Sequence, residues 1–520
     1  MLGIEHPFHW RMYKGVPTTM SHNNDVVEHD EDAAHLASLG YSYDTTFKRE
    51  MSFWGNVSLG FTYLSPIAGV YSMFAISLGQ AGPPMAWALV IALVGQFLVA
   101  LIFGEVVSNY PVAGGVYPWS RRLWGRKWAW MNGWIYVVAL VGTLAAVAYG
   151  AAPFVASIFG GGVGAGGTVL IALGTLVIAT ILNFSGTRVL SLAATIGLTA
   201  EMIGAVGISL YLLIFHRKQD WSVVFDNQGI GDNAPGGYFG AFAAAALIGM
   251  FAYYGFEANG DVAEEIKDPS ARVPKAMRMT LYIGGFAANV LVFSLVFAVP
   301  DFAAVASGDV ADPIGEALQS AFGPVFPIVM LIVVIAFISC ITSLQAAASR
   351  LVYSMARDGF LPASNFLARF NEKRHVPSNA LLTAAFFPAA VVVLSLMLED
   401  ALTAMVGFGT VGIYIGFQMV VLAALRARVL GWKPAGKFRL GAWAYPVNIL
   451  ALIWGVAAVA NIIWPRETGG GWAEDYLLIM TTVGVIAVGW IYMLASKAYQ
   501  RGDAPAGDAS GPIKTTTAVG

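Results

Sequence analysis

Twelve stretches of this chain are each long and apolar enough to cross a bilayer, and that pattern constrains the fold more than any other feature. A helix crossing the hydrocarbon needs about 20 mainly apolar residues. Segments 1 to 5 run from Ser52 to Leu78, Pro84 to Ser108, Trp128 to Phe159, Thr168 to Phe184 and Val189 to Phe215. Segments 6 and 7 run from Tyr238 to Gly260 and Met279 to Val299. Segments 8 to 12 run from Pro324 to Met355, Ser378 to Leu398, Ala401 to Leu425, Tyr445 to Trp464 and Ala473 to Ala495. Membrane strands would alternate apolar and polar residues, and these runs do not. Charged residues make up only 12 % of the chain, against roughly 25 % in an ordinary globular domain. The expectation is an all-α integral membrane protein with 12 transmembrane helices.

The charges test that count. With the amino terminus placed in the cytoplasm, all but three of the 29 Lys and Arg residues fall on the inner side. The exceptions are Arg217, Lys218 and Arg466. One missed or invented span would invert everything downstream and erase this asymmetry. The sequence therefore predicts both termini in the cytoplasm and a multi-pass protein of the plasma (inner) membrane, its partner being the lipid bilayer. Residues 1–51 contain no apolar signal-peptide core and are polar and acidic, so they are expected to be flexible and cytoplasmic, as is the tail 496–520. A net charge of −2 gives no general basic field for nucleic acid. The single cysteine, Cys340, excludes an internal disulfide framework and a multi-cysteine metal site. The absence of a Cys/His cluster, of H-E-x-x-H and of a complete Walker A motif points away from an enzyme and from any cofactor.

Two segments carry helix breakers near mid-depth. Segment 1 reads Leu64-Ser65-Pro66-Ile67-Ala68-Gly69-Val70-Tyr71, and segment 6 reads Phe251-Ala252-Tyr253-Tyr254-Gly255-Phe256-Glu257-Ala258-Asn259-Gly260-Asp261. A helix broken inside a bilayer needs a cavity or ligand to satisfy its freed backbone groups. Matched breaks five segments apart point to an inverted-repeat transporter with its site at the midplane. Repeat one would comprise segments 1–5 (52–215), repeat two segments 6–10 (238–425), and segments 11–12 (445–495) would be appended. The second half of segment 1 would present N–H groups to an anion. The first half of segment 6 would present carbonyls to an ammonium. Together they describe a site for an amine or a zwitterion.

These residues, with those around them, resemble the amino acid–polyamine–organocation superfamily. The likeness rests on the segment 6 run continued through Glu264-Glu265-Ile266-Lys267-Asp268-Pro269 to Pro274, and on Ser349-Arg350 through Met355-Ala356-Arg357-Asp358-Gly359 to Pro362. It rests also on Gly104-Glu105 with Tyr110-Pro111 and Gly114-Gly115-Val116-Tyr117. Leu36 to Tyr41 is similar to the amino acid/choline (GABA permease-like) branch. The resemblance implies a leucine-transporter-like 5+5 inverted repeat with broken helices 1 and 6, and secondary transport by alternating access.

It also implies site residues. Backbone carbonyls of Phe251, Ala252 and Tyr254 would meet a substrate amine, with Phe251 as an aromatic gate and Tyr253 beside it. N–H groups of Ala68, Gly69 and Val70 would meet a carboxylate, although the Gly-Ser/Thr-Gly of many relatives is here Ile67-Ala68-Gly69. Asn183 and Gly186 match an Asn-x-x-Gly after which relatives carry a lysine; at that place this chain has Glu201. All seven histidines lie outside the segments, so a proton carrier at membrane depth would be a carboxylate. Glu201 is the leading candidate to carry a proton, pair with sodium or meet a cationic substrate. Glu257 would exchange protons, neutralise the amine or cap the broken backbone. Ser339, Thr342 and Ser343 are possible sodium oxygens; no other metal site is expected. Glu264, Glu265 and Asp268 are expected to pair with Lys267, Arg272 and Lys275. Taken together, the sequence predicts a permease for an amino acid or small amine coupled to H+, with Na+ as the alternative ion. Rival readings are a choline, ethanolamine or polyamine uniporter or exchanger, and a channel or sensor on the same fold.

Overall fold

The apolar runs wind into helices because hydrocarbon offers no partner for a backbone N–H or C=O. The computed structural model describes residues 47, 49–397, 401–466, 471–502 and 504–510. Among these, 11 helical stretches are long and apolar enough to cross a membrane. No strand forms among the described residues; the only extended pairings are isolated bridges, Met51 with Ile266 and Asn371 with Val376. The chain is an all-helical, multi-pass membrane protein. Most of the expected amino-terminal stretch, including the Leu36–Tyr41 motif, lies outside the described residues, as do Leu398 and positions 511–520 of the tail.

The ten other than segment 1 run unbroken or nearly so, and two begin early: the segment 8 stretch starts at Pro313 where Pro324 was expected. Segment 7 begins at Pro269, well before the expected Met279, and continues to Ala298. Pro269 occupies the first helical turn, where its missing N–H costs nothing. Segments 1, 3 and 10 lie mostly inside the protein, whereas 4, 9, 11 and 12 leave most of their apolar surface outside. Leu170, Ile181, Phe386, Ile453 and Ile491 on these outer helices are exposed.

The two predicted breaks are present. Segment 1 is two helices, Phe53–Leu64 and Pro66–Ala81, joined at Ser65 with φ 43°. Ser65 Oγ accepts from the Ala68 N–H at 3.1 Å and so caps the second helix, with Pro66 at its first position. Segment 6 is not one helix from Tyr238 to Gly260. It runs Gly237–Ala245 and Leu247–Ala252, unwinds through Gly255, and resumes as one short turn, Ala258–Asp261. Segment 5 has an irregularity the sequence did not signal. Its α-helix Thr187–Glu201 passes into a π-wound turn, Met202–Ile208, directly after Glu201.

Candidate functional site

The breaks meet each other at the centre of the bundle. A Cβ on Gly69 would lie 3.0 Å from Ala252 Cα, and one on Gly255 would lie 2.5 Å from Leu64 N. Gly255 also has φ 117°, a conformation open in practice to glycine alone. Two expected binding residues, Gly69 and Ala252, are thus in backbone contact, and the unwound parts of segments 1 and 6 face one another.

The N–H groups of segment 1 are disposed differently from the expectation. Ala68 N–H is taken by Ser65 Oγ, and Gly69 N–H by Ser65 O at 2.9 Å. The N–H that meets a carboxylate is that of Ile67, and the carboxylate is the protein's own: Ile67 N donates to Glu201 Oε2 at 3.3 Å. Glu201 is completely buried, and its Oε1 has no hydrogen-bond partner among the described residues. A carboxylate from segment 5 therefore sits at the positive end of the second half of segment 1.

On segment 6 the helix ends at Ala252, so the carbonyls of its last turn lie beyond its own hydrogen-bond ladder. One of them, Met250 O, accepts from Tyr414 Oη at 3.3 Å. Phe251 is buried with its ring edge-on to Tyr254, centroids 5.7 Å apart. Tyr253 turns away toward segment 7, where Asn289 Nδ2 donates to its hydroxyl at 2.8 Å. Glu257 is fully engaged: Oε2 accepts from Gly255 N–H at 2.7 Å and Oε1 from Tyr136 Oη at 2.7 Å. It ties the unwound backbone to segment 3.

Residues not singled out in the sequence join Tyr254 and Asn259 at this centre. Thr143 and Thr410 bring hydroxyls from segments 3 and 10 close to that of Tyr254 on segment 6. Asn259 Nδ2 donates to Asn56 O at 2.7 Å, and Thr280 Oγ1 to Asn259 Oδ1 at 3.1 Å, fastening segment 6 to segments 1 and 7. Each candidate sodium oxygen has a hydrogen-bond partner within the protein. Ser339 donates to Ala193 O, Thr342 to Ile338 O in its own helix, and Ser343 pairs with Thr62. Among the described residues no group of three or more His, Cys, Asp or Glu side chains is placed to hold a metal ion.

The end of the bundle rich in Lys and Arg is closed by buried ion pairs. Glu265 meets Arg350 Nε at 3.0 Å and Thr187 Oγ1 at 2.8 Å, and its carbonyl accepts from Met51 N at 3.1 Å. Glu264 meets Arg357 at 3.6 Å and Ala113 N at 3.1 Å. Arg121 pairs with Asp358, and Arg428 with Glu105. The two glutamates thus pair with arginines from the end of segment 8. Lys275 lies over the Phe53 ring and Arg278 over Phe438. Asp268 meets Lys437 at 2.8 Å.

Comparison with known proteins agrees with this architecture. The family profile described as amino acid permease matches residues 52–497. The amino-acid permease BAT1 of Arabidopsis thaliana is 26 % identical, over 82 % of this chain and 87 % of the relative. Its homolog in Oryza sativa is 25 % identical over 89 % and 92 % of the two chains. A putative amino acid/polyamine transporter of Macrophomina phaseolina is 25 % identical over 79 % and 93 %. The match takes in both broken segments, Glu201 and the buried ion pairs. The chain belongs to the amino acid permease family of the amino acid–polyamine–organocation superfamily, a family of transporters rather than enzymes.

Proposed function

We infer that this protein is a secondary active transporter that moves an amino acid or small amine across the plasma membrane by alternating access, coupled to protons. In this reading the twelve segments form a 5+5 inverted repeat plus two, with both termini in the cytoplasm. Substrate binds between the breaks, its amine toward the last carbonyls of Leu247–Ala252 and its side chain toward Tyr254, Thr143 and Thr410. The observation that carries the reading is the placement of Glu201, buried beside Ser65, with one oxygen held by Ile67 N–H and the other without a geometric hydrogen bond among the described residues. An ionised carboxylate there is stabilised by the helix end, and a protonated one can donate from Oε1. Two protonation states with different hydrogen bonding to a broken helix are what coupling a proton to a conformational change requires.

Sodium coupling through the oxygens of Ser339, Thr342 and Ser343 is the alternative. A second substrate reading has its own support. Because Glu201, Ser65 Oγ and Ser65 O occupy the Ile67, Ala68 and Gly69 N–H groups, an amine without a carboxylate suits segment 1 as well as an amino acid does. Uptake into proteoliposomes across a panel of amino acids and amines separates these readings, with a pH gradient, a sodium gradient or neither imposed in turn. Accumulation of an amino acid under the pH gradient alone is expected; purely passive flux of every compound would remove the symport reading.

A further inference from the structure

A cavity of about 870 Å³ opens between the first half of segment 6 and the second half of segment 11, reaching as far as Met250. Alanines make it: Ala243, Ala244 and Ala246 line one wall and Ala457 and Ala460 the other, so neither helix has the side chains to fill the space between them. From Trp454 at one end of this wall the helix runs to Ile463, about 14 Å at 1.5 Å per residue. That is close to half of a hydrocarbon core of roughly 30 Å, the depth of one leaflet. At the other end stand Trp464 and Phe239, both largely exposed, as aromatic residues are at a membrane interface.

Arg466 is the one charged residue among those lining the cavity, and it stands at this interfacial end. Its Nη2 donates to Asn461 O and Oδ1, each at 2.9 Å, and to Ala243 O at 3.4 Å. All three acceptors are neutral. Nε and Nη1 donate to no described residue, and among the described residues no carboxylate pairs with this guanidinium. Burial disfavours its charge. A guanidinium held at one edge by carbonyls, with its other donors open above an apolar channel one leaflet deep, matches a phosphate on top of an acyl chain.

We propose that this cavity is a binding site for one anionic diacyl phospholipid, with the headgroup phosphate on Arg466 and one acyl chain between the alanines of segments 6 and 11. Segment 6 carries the break, so a lipid seated here braces the half-helix that ends at Ala252. An aqueous filling would wet apolar walls, and a free anion would leave them uncovered, whereas a lipid satisfies both.

The test is native mass spectrometry of the full chain purified in detergent, supplied with phosphatidylglycerol or phosphatidylcholine. One phosphatidylglycerol is expected to be retained in preference to phosphatidylcholine. Losing the charge-assisted contact in Arg466→Gln should lower that retention by about tenfold, and Ala457→Phe should lower it with Arg466 intact by occupying the channel. Arg217→Gln, at the same end of the bundle but outside the cavity, should leave it unchanged. Equal retention of the two lipids, or unchanged retention in both cavity variants, overturns the proposal. Melting curves without added lipid establish that each variant is folded, and if Arg466→Gln does not fold, Ala457→Phe decides alone.

Discussion

Glu201, on segment 5, accepts a hydrogen bond from the backbone N–H of Ile67 at 3.3 Å, across the break that divides segment 1. A substrate carboxylate was expected to meet the N–H groups of this half-helix, and the protein instead brings one of its own. The helix end stabilises the charge, the surrounding apolar side chains penalise it, and the balance is open to a proton. Directly after Glu201 the helix widens into its π-wound turn, which sets this residue at a point where segment 5 is already irregular.

Glu257 plays the opposite part, because both its oxygens are used. Replacing it with Ala leaves the Gly255 N–H and Tyr136 hydroxyl buried without partners, each costing about 1–3 kcal/mol. Tyr136→Phe removes only one of the two bonds and should cost less. Thermal unfolding in detergent should therefore rank wild type above Tyr136→Phe above Glu257→Ala. Equal melting temperatures would show that Glu257 does not hold the unwound backbone.

The glycines at the crossing separate folding from transport. Gly255→Ala must place a Cβ 2.5 Å from Leu64 N at a φ of 117°, a strain of roughly 3 kcal/mol or more, and should leave little folded protein in the membrane. Gly69→Ala brings a Cβ to 3.0 Å of Ala252 Cα, a milder intrusion of about 1–3 kcal/mol. Its expected outcome is normal abundance with impaired uptake. Abundance by immunoblot and uptake in the same cells measure both.

The buried pair of Arg350 and Glu265 spans the Lys- and Arg-rich end of the bundle, and in the proposed cycle it closes that end. Removing one partner of such a pair costs about 3–5 kcal/mol in the arrangement that contains it, so Arg350→Ala should shift the population toward a form open at that end. Cys340 reports this without engineering, since it is the chain's sole cysteine and is buried, with Sγ 3.4 Å from Tyr63 O at the first break. An impermeant maleimide applied from the Glu265 side should label it at least about tenfold faster in the variant. An unchanged rate would mean that the pair is not part of the closure.

Much of this site was legible in the sequence because a membrane makes certain residues conspicuous. Pro66 and Gly255 interrupt apolar runs, and Glu201 and Glu257 are charges inside them; each is costly in hydrocarbon and so stands out. Ser65, Tyr136, Thr143 and Thr410 are unremarkable in such runs, because a hydroxyl can bond its own helix and leaves no trace in hydropathy. What makes them notable is convergence from separate segments, which is a property of packing. The same holds for Glu264 and Glu265. Their nearest bases in sequence are Lys267, Arg272 and Lys275, yet the partners that close the bundle are Arg357 and Arg350, brought in from the end of segment 8.

In the proposed cycle a proton on Glu201 drives transport, and this is decided by comparing wild type with Glu201→Gln in proteoliposomes under an imposed pH gradient, alongside counterflow without a gradient. Glutamine keeps an acceptor for the Ile67 N–H and cannot ionise. The wild type should accumulate substrate against its gradient, while the variant should lose accumulation and keep counterflow. Proton-driven accumulation retained in Glu201→Gln would exclude Glu201 as the proton carrier.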